Sequence, residues 1–345
     1  ITADKYNISQ DSKHNVNLIN LISDAKEDKT DIEFADPSYS SQVSYTGDNP
    51  IAYSKIYKYD VSYNPEDGYF TFLRGSSGNP SDNFNPTVLS PAVTNQAAGY
   101  STQMQVFNYA FQHSDSFMNI PYMERLAYSH ENQYALINDS TVGPYSPIFT
   151  RVNQGGAWFK PYVSFENIPL KNGPTVDNIA YGSLIGYDSK LTPIKHGFER
   201  VLTGYVGYNG ASQSYPGVDT YQNGGLLGGT VTLYKGNFFN ATTLSAGASV
   251  GESSNMYGHE NYTMLLAGIG NKLGYNFEFR RGRYILQPSM LMSYTFVNTF
   301  DYTNSAGTRM TSDPLHAIQL SPGLKFIMNT KNGWQPYAAV NMVWN

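Results

Sequence analysis

The chain has 345 residues, no cysteine and a formal net charge of −5, with 14% charged and 14% aromatic residues. The missing cysteines exclude a disulfide scaffold and a thiolate metal site, and the acidic balance argues against a nucleic-acid partner, because counterion release needs a basic face. No run of about 20 apolar residues occurs, which excludes a membrane-crossing helix, but a mean hydropathy of −0.40 still allows strands that alternate apolar and polar residues across a bilayer.

The first residue is Ile1 and no charged-then-apolar leader follows it, so the sequence reads as a mature form or an internal fragment. Residues 1–75 read as a β-rich segment with one clear hairpin between Ile51 and Arg74. In it Tyr57, Tyr59, Val61 and Tyr63 alternate with polar residues, and a turn at Asn64-Pro65-Glu66-Asp67-Gly68 leads into Tyr69–Leu73. Proline and glycine at these offsets supply the fixed and the positive φ that a turn requires. Residues 76–89, rich in Gly, Ser, Asn and Pro, read as a linker. Ser90-Pro91 then offers a capping hydroxyl and a proline for the first helical position, which predicts a helix over 90–118. Such a helix is ~40 Å long at 1.5 Å per residue. It is rich in Gln, Asn, Ser and Thr, so lipid cannot surround it, and Val93, Ala97, Met104, Phe107, Ala110 and Phe111 make its packing stripe. Residues 119–154 read as a connecting segment with a short helix near Met123–His130.

From Gly155 onward the pattern becomes regularly spaced strands. Nine are expected, at about 157–168, 178–189, 197–210, 222–235, 237–252, 261–280, 283–299, 315–329 and 333–345. The last sets Trp334, Pro336, Ala338, Val340, Met342 and Trp344 on one face. Its two tryptophans are ten residues apart, which projects to roughly 25 Å at ~40° of tilt, the height of an outer-membrane apolar band. Tyr284, Leu286, Pro288, Met290, Met292, Tyr294 and Phe296 repeat the pattern, with Leu291 as an exception on the other face. Ile318, Leu320, Pro322, Leu324 and Phe326 do so again, as do Leu265, Ala267, Ile269, Leu273, Tyr275 and Phe277. The first strand sets Phe159, Pro161, Val163 and Phe165 against Lys160, Ser164 and Glu166.

Alternation alone also fits a soluble sandwich. Strand length, aromatics near strand ends and connection length favour a membrane. Connections after even strands are mostly tight, whereas those after odd strands, at 168–178, 210–223, 252–261 and 299–315, are expected to be longer polar loops, and 189–197 fits least well. Short turns on one side and long loops on the other mark an outer-membrane barrel, with the short side periplasmic. Prolines 161, 288, 322 and 336 within strands are expected to mark bulges or frayed ends. The facing of Gly224–Gly229 stays ambiguous. Nine is odd, and the chain stops inside a strand at Asn345, which points to missing C-terminal strands.

Ala157-Trp158-Phe159-Lys160-Pro161-Tyr162, Tyr181-Gly182-Ser183-Leu184-Ile185-Gly186 and Gly333-Trp334-Gln335-Pro336-Tyr337 are the local marks on which residues 155–345 resemble the translocator barrel of an autotransporter, a type V secretion protein. The resemblance implies an all-β, antiparallel transmembrane barrel of the family's twelve strands, about three of them absent after Asn345. It implies a helix threading the lumen and residues 1–75 as the end of an extracellular passenger. The implied function is export of that passenger and its anchoring at the cell surface, in the bacterial outer membrane. The implied partners are outer-membrane lipid, the barrel assembly machinery and the passenger itself, with a monomeric barrel. The family's closing strand, read by that machinery, is also absent.

Weighed residue by residue, the chemical motifs are sparse. Six scattered histidines (His14, His113, His130, His196, His259, His316) show no metal-ligand spacing and read as ordinary surface or loop residues. No nucleophile elbow, phosphate loop or calcium loop appears, so neither an enzymatic activity nor a cofactor is expected. Lys160, Glu166, Lys272, Glu278 and Lys325 are candidate lumen residues, hydrated or paired across the pore or with the helix, and Phe159, Tyr284, Phe296, Trp334 and Trp344 are candidate girdle residues. Arg280, Arg281 and Arg283 read as a solvated anchor at a membrane rim, with anionic lipid as a neighbour. Some autotransporters cut their pore helix after an asparagine. Here the helix offers Asn95 and Asn108 but no Asn-Asn pair, so the passenger is expected to stay attached. Two other readings remain open from the residues: a porin-like channel with a helical plug, and a soluble β-rich adhesive or carbohydrate-binding protein.

Overall fold

A computed structural model describes residues 29–33, 51–53, 57–64, 69–74, 83, 85–122, 155–169, 175–215, 217–255, 258–330 and 334–344. The expected helix near Met123–His130 and most of the expected linker lie outside the described residues. The N-terminal hairpin is part of a four-stranded antiparallel sheet. Its strands are β1 (Lys29–Glu33), β2 (Ile51–Tyr53), β3 (Lys58–Asn64) and β4 (Tyr69–Arg74), in the order β1-β4-β3-β2. Among the described side chains of this sheet, Tyr59 and Phe72 are buried. Strand β1, Lys-Thr-Asp-Ile-Glu, has no apolar alternation, so only its pairing with β4 reveals it.

Helix α1 spans Pro86–Asp115 and passes into a 3-10 turn at Ser116–Asn119, so both ends differ from the expected 90–118. Asn85-Pro86 carries the same cap-plus-proline signature as Ser90-Pro91, five residues earlier. Pro91 sits inside the helix, where it cannot donate to the carbonyl four residues back.

The rest of the chain is one antiparallel sheet. Its strands are β5 (Gly156–Pro169), β6 (Thr175–Asp188), β7 (Thr192–Pro193), β8 (Glu199–Tyr215), β9 (Val218–Lys235), β10 (Phe238–Asn255), β11 (Gly258–Tyr275), β12 (Phe277–Phe279), β13 (Tyr284–Thr299), β16 (Leu315–Met328) and β17 (Tyr337–Asn341). A separate two-stranded hairpin, β14 (Tyr302–Thr303) with β15 (Arg309–Met310), sits between β13 and β16. Nine strands run side by side in the order β17-β16-β13-β11-β10-β9-β8-β6-β5. Laid flat at ~4.8 Å spacing they would span roughly 38 Å, more than three times the ~10 Å width of a helix. Yet α1 hydrogen-bonds Glu166 on β5, and its last residue, Asp115, pairs with Lys325 on β16. The sheet therefore curls around the helix.

The outward rows follow the predicted alternation. Phe159, Val163 and Phe165 on β5, Leu265, Ile269 and Leu273 on β11, and Ile318, Leu320, Leu324 and Phe326 on β16 are all exposed. Ala338 and Val340 lie opposite Phe326 and Leu324, so β17 continues the same face. Leu291, the exception on β13, is buried on the inner side in a cluster with Met104, Phe107 and Phe111 of the helix. In the glycine-rich stretch the inner positions are Gly224, Leu226 and Gly228, while Gly225, Leu227 and Gly229 face outward.

Two expectations about connections are corrected. The stretches 210–223 and 252–261 are not long loops, because Tyr215 pairs with Val218 and Asn255 with Gly258 at the ends of strands 17–18 residues long. At ~3.3 Å per residue an 18-residue strand is roughly 59 Å long. That far exceeds what a ~25 Å apolar band needs even when tilted. Above the band both faces are mostly polar, so hydropathy alternation fades while the ladder continues. The prolines do not mark bulges either. On β11–β12, Gly274 faces Ser289 and Phe277 faces Leu286, one unbroken register interrupted only where Pro288 lacks an N–H. Pro161 and Pro322 likewise sit in continuous registers. Pro336 precedes the regular part of β17, with its carbonyl accepting from Met328 N at 3.0 Å.

At the turn between β12 and β13, Gly282 holds φ 82° and a Cβ there would collide with the Pro121 ring. Gly282→Ala is expected to cost about 1–3 kcal/mol, read as a lower midpoint of thermal unfolding in detergent.

Candidate functional site: the occupied lumen

The inner face of the curl is lined by aromatic and apolar side chains where the helix and its closing turn rest, with buried polar residues between them. Val106 and Ala110 pack with Tyr162, Leu184, Tyr205 and Leu226, and Met104, Phe107 and Phe111 with Ala241 and Leu291. Close contact is made possible by missing side chains on the wall. A Cβ at Gly268 would lie 2.7 Å from Phe107, and one at Gly270 would lie 3.0 Å from Phe111. Among the described residues, Asn108 and Gln112 on the helix and Ser116 in the turn after it are exposed, at a spacing of four.

The helix carries many hydroxyls and amides, and the wall answers several of them. Glu166 accepts hydrogen bonds from Ser101 Oγ at 2.5 Å and Gln105 Nε2 at 3.0 Å on the helix, and from Asn178 Nδ2 at 3.1 Å on β6. Gln103 Nε2 donates to Ser245 Oγ on β10. Near the other end of the helix, Gln96 Nε2 donates to Asp313 O at 2.8 Å. The helix therefore starts at the end of the sheet where the strands are extended and finishes at the opposite rim.

That finish is a charged clasp. Asp115 is the only Asp, Glu, Lys or Arg of the thirty-residue helix, and its side chain is 3% exposed. Lys272 on β11 reaches it at 2.5 Å and Lys325 on β16 at 3.3 Å. A carboxylate at a helix C-terminus faces the negative end of the helix dipole, so the two lysines offset both that repulsion and the desolvation. Lys325 also donates to Asn119 Oδ1 at 2.8 Å. Lys160, on the inner side of β5, lies in the field of Asp115, Asp188 and Lys325. Glu278 accepts from Tyr122 N at 2.7 Å, and Asn276 Nδ2 donates to Met118 O.

A second joint lies two residues earlier. His113 Nε2 meets Asp188 Oδ2 on β6 at 2.6 Å, and its ring stacks on Trp158 at 4.3 Å. Asp188 also accepts from Thr203 Oγ1 at 2.7 Å and Trp158 Nε1 at 3.2 Å. His113 is thus a half-buried joint residue rather than the surface histidine expected. Asp115, His113, Asp188 and Trp158 were all missed as site residues. The signal available for Asp115 was its position as the single charge in a long polar helix. Of the girdle candidates, Phe159, Trp334 and Trp344 are exposed on the outer face at 61%, 77% and 55%, while Tyr284 and Phe296 are half-buried there.

Residues 157–345, more than half of the chain, match the family described as the autotransporter beta-domain. The chain belongs to the autotransporter family. Among solved structures it is similar to the beta domain of the Bordetella autotransporter BrkA, at 23% sequence identity and a TM-score of 0.46, over 55% of this chain and 77% of that one. No curated protein matches it. This autotransporter chain is an outer-membrane β-barrel translocator that exports an N-terminal passenger and holds it at the cell surface. Neither the porin-like channel nor the soluble adhesive protein is favoured by the family.

Proposed function

We propose that α1 is the spent translocation segment, left in the lumen as both seal and tether. The observation that carries this reading is that the helix is fastened to the wall at both halves: through Glu166, and through Asp115 with Lys272 and Lys325. On this reading residues 1–75 are the passenger end and 76–89 the linker, and the helix and connecting segment lead into the barrel at 155–345. The helix begins at the extended-strand end, which is then extracellular, and the short-turn rim is periplasmic. The outer rows ending in Phe159, Tyr284, Phe296, Trp334 and Trp344 meet outer-membrane lipid. The barrel is a monomer that depends on the barrel assembly machinery for insertion. Lys160, Glu166, Lys272, Glu278 and Lys325 serve seating rather than catalysis, and the chain performs no reaction of its own. The passenger stays attached: Asn95 is fully buried, Asn108 is exposed, and the hydrogen bonds that Glu166 accepts from the helix come from Ser101 and Gln105.

The test is conductance. Reconstituted chain is expected to pass little current, and deletion of 86–115 to open a stable conductance. Equal currents from both would show that the helix is not a seal.

A further inference from the structure

We propose that the short-turn rim is a basic collar that binds the phosphate headgroups of anionic phospholipid. The starting point is backbone strain. Among the described residues, three other than glycine hold a positive φ: His196 at 64°, Arg280 at 51° and Arg281 at 57°. All three are basic residue types, and all lie on this one rim, in the connections β6–β8 and β12–β13. The other left-handed positions are glycines, such as Gly217, Gly236 and Gly307. L side chains with long stems are disfavoured there, whereas asparagine and glycine are tolerated.

The surroundings enforce the arginine turn. Gly282 abuts Pro121, Asn329 Nδ2 donates to Gly282 O at 2.8 Å, and Asn329 N donates to Arg283 O at 2.8 Å. None of these backbone contacts uses the guanidinium groups, and a left-handed turn held in this way is served as well by asparagine or glycine.

The side chains point to the partner. Arg280, Arg281 and Arg283 are all exposed. The guanidinium carbons of Arg280 and Arg283 stand 5.9 and 5.6 Å from the Tyr284 ring centre, and Lys235 Nζ stands 4.7 Å from that of Phe198. Tyr284 stacks with Phe326, and Tyr275 meets Phe277 edge to face, next to these cations. The cations thus sit one step outside the aromatic border of the apolar face, at headgroup depth. Two carboxylates of this rim, Asp188 and Glu278, turn inward to His113 and the Tyr122 amide. On the opposite rim, among the described residues, the exposed Arg309 is already paired with Asp301 at 2.7 Å. A guanidinium fork matches a phosphate diester bidentately. The proposal goes beyond the tether reading and relies on it only for the membrane itself.

The experiment titrates phosphatidylglycerol and phosphatidylcholine into the detergent-solubilised full chain and counts bound lipid by native mass spectrometry. The unsubstituted chain is expected to prefer phosphatidylglycerol, less so at high salt. The triple variant Arg280→Asn, Arg281→Asn, Arg283→Asn keeps residues that tolerate positive φ and is expected to lose about five-fold of the preference per arginine. Its thermal midpoint should be unchanged or higher, and Arg309→Gln on the far rim should keep the preference. Equal binding of both lipids by the unsubstituted chain overturns the collar, as does a preference that survives the triple substitution. A preference lost together with a lower thermal midpoint also overturns it, by making the arginines structural. A chain that stays soluble without detergent fails the membrane reading instead.

Discussion

Asp115→Ala is expected to destabilise the folded chain by about 3–5 kcal/mol, because it strands two lysines inside the lumen without their counter-charge. The side chains involved are largely buried, with Lys272 18%, Lys325 12% and Asp115 3% exposed. A pair in water would contribute little, but here the charges have already lost most of their hydration. Asp115→Asn keeps the shape and an acceptor oxygen while removing the charge, and should cost nearly as much. Adding Lys272→Met to Asp115→Ala should recover part of the loss by removing one stranded ammonium. Urea unfolding in detergent, followed by intrinsic fluorescence, reads the energies, and limited proteolysis reads whether α1 has left the lumen. A cost below about 1 kcal/mol for Asp115→Ala would mean that the clasp holds nothing.

The apolar half of the seat should respond as strongly. Phe107 is fully buried, and its truncation to alanine is expected to cost about 3–5 kcal/mol through lost transfer energy and the cavity left behind. Gly268→Val attacks the same contact from the wall, since even a Cβ there would lie 2.7 Å from Phe107 and 2.8 Å from Tyr294 O. Overpacking of this kind typically costs about 1–3 kcal/mol. Combined, the two substitutions should cost less than their sum, because the ring that the valine displaces is already gone. A residual cost against the Tyr294 carbonyl should remain. Strict additivity in a double-mutant cycle would show that Phe107 and Gly268 do not meet.

The outer half of this molecule was legible as sequence. Phe159, Pro161, Val163 and Phe165 declare their face because every second residue meets one uniform medium, so a local period of two is enough. The ends of the long hairpins were not legible. Around Gln213, Thr220 and Gln222 both faces of the strands are polar, and extended structure without an apolar row looks like a loop. Strand β1 was missed for a related reason: its identity lies in its pairing with β4, forty residues away in the chain.

What sequence alone determined, then, is the membrane-facing wall, the spacing of its strands and the presence of one long polar helix that lipid cannot surround. What the tertiary structure decided is the inner seat, where the helix's Ser101, Gln105 and Asp115 meet partners no local pattern can name. Lys325 finds Asp115 across 210 residues, and Glu166 finds Gln105 across 61. Hydrocarbon acts on each residue separately and leaves a periodic record. A hydrogen bond or an ion pair depends on two positions at once, and only the curl of the sheet brings those positions together.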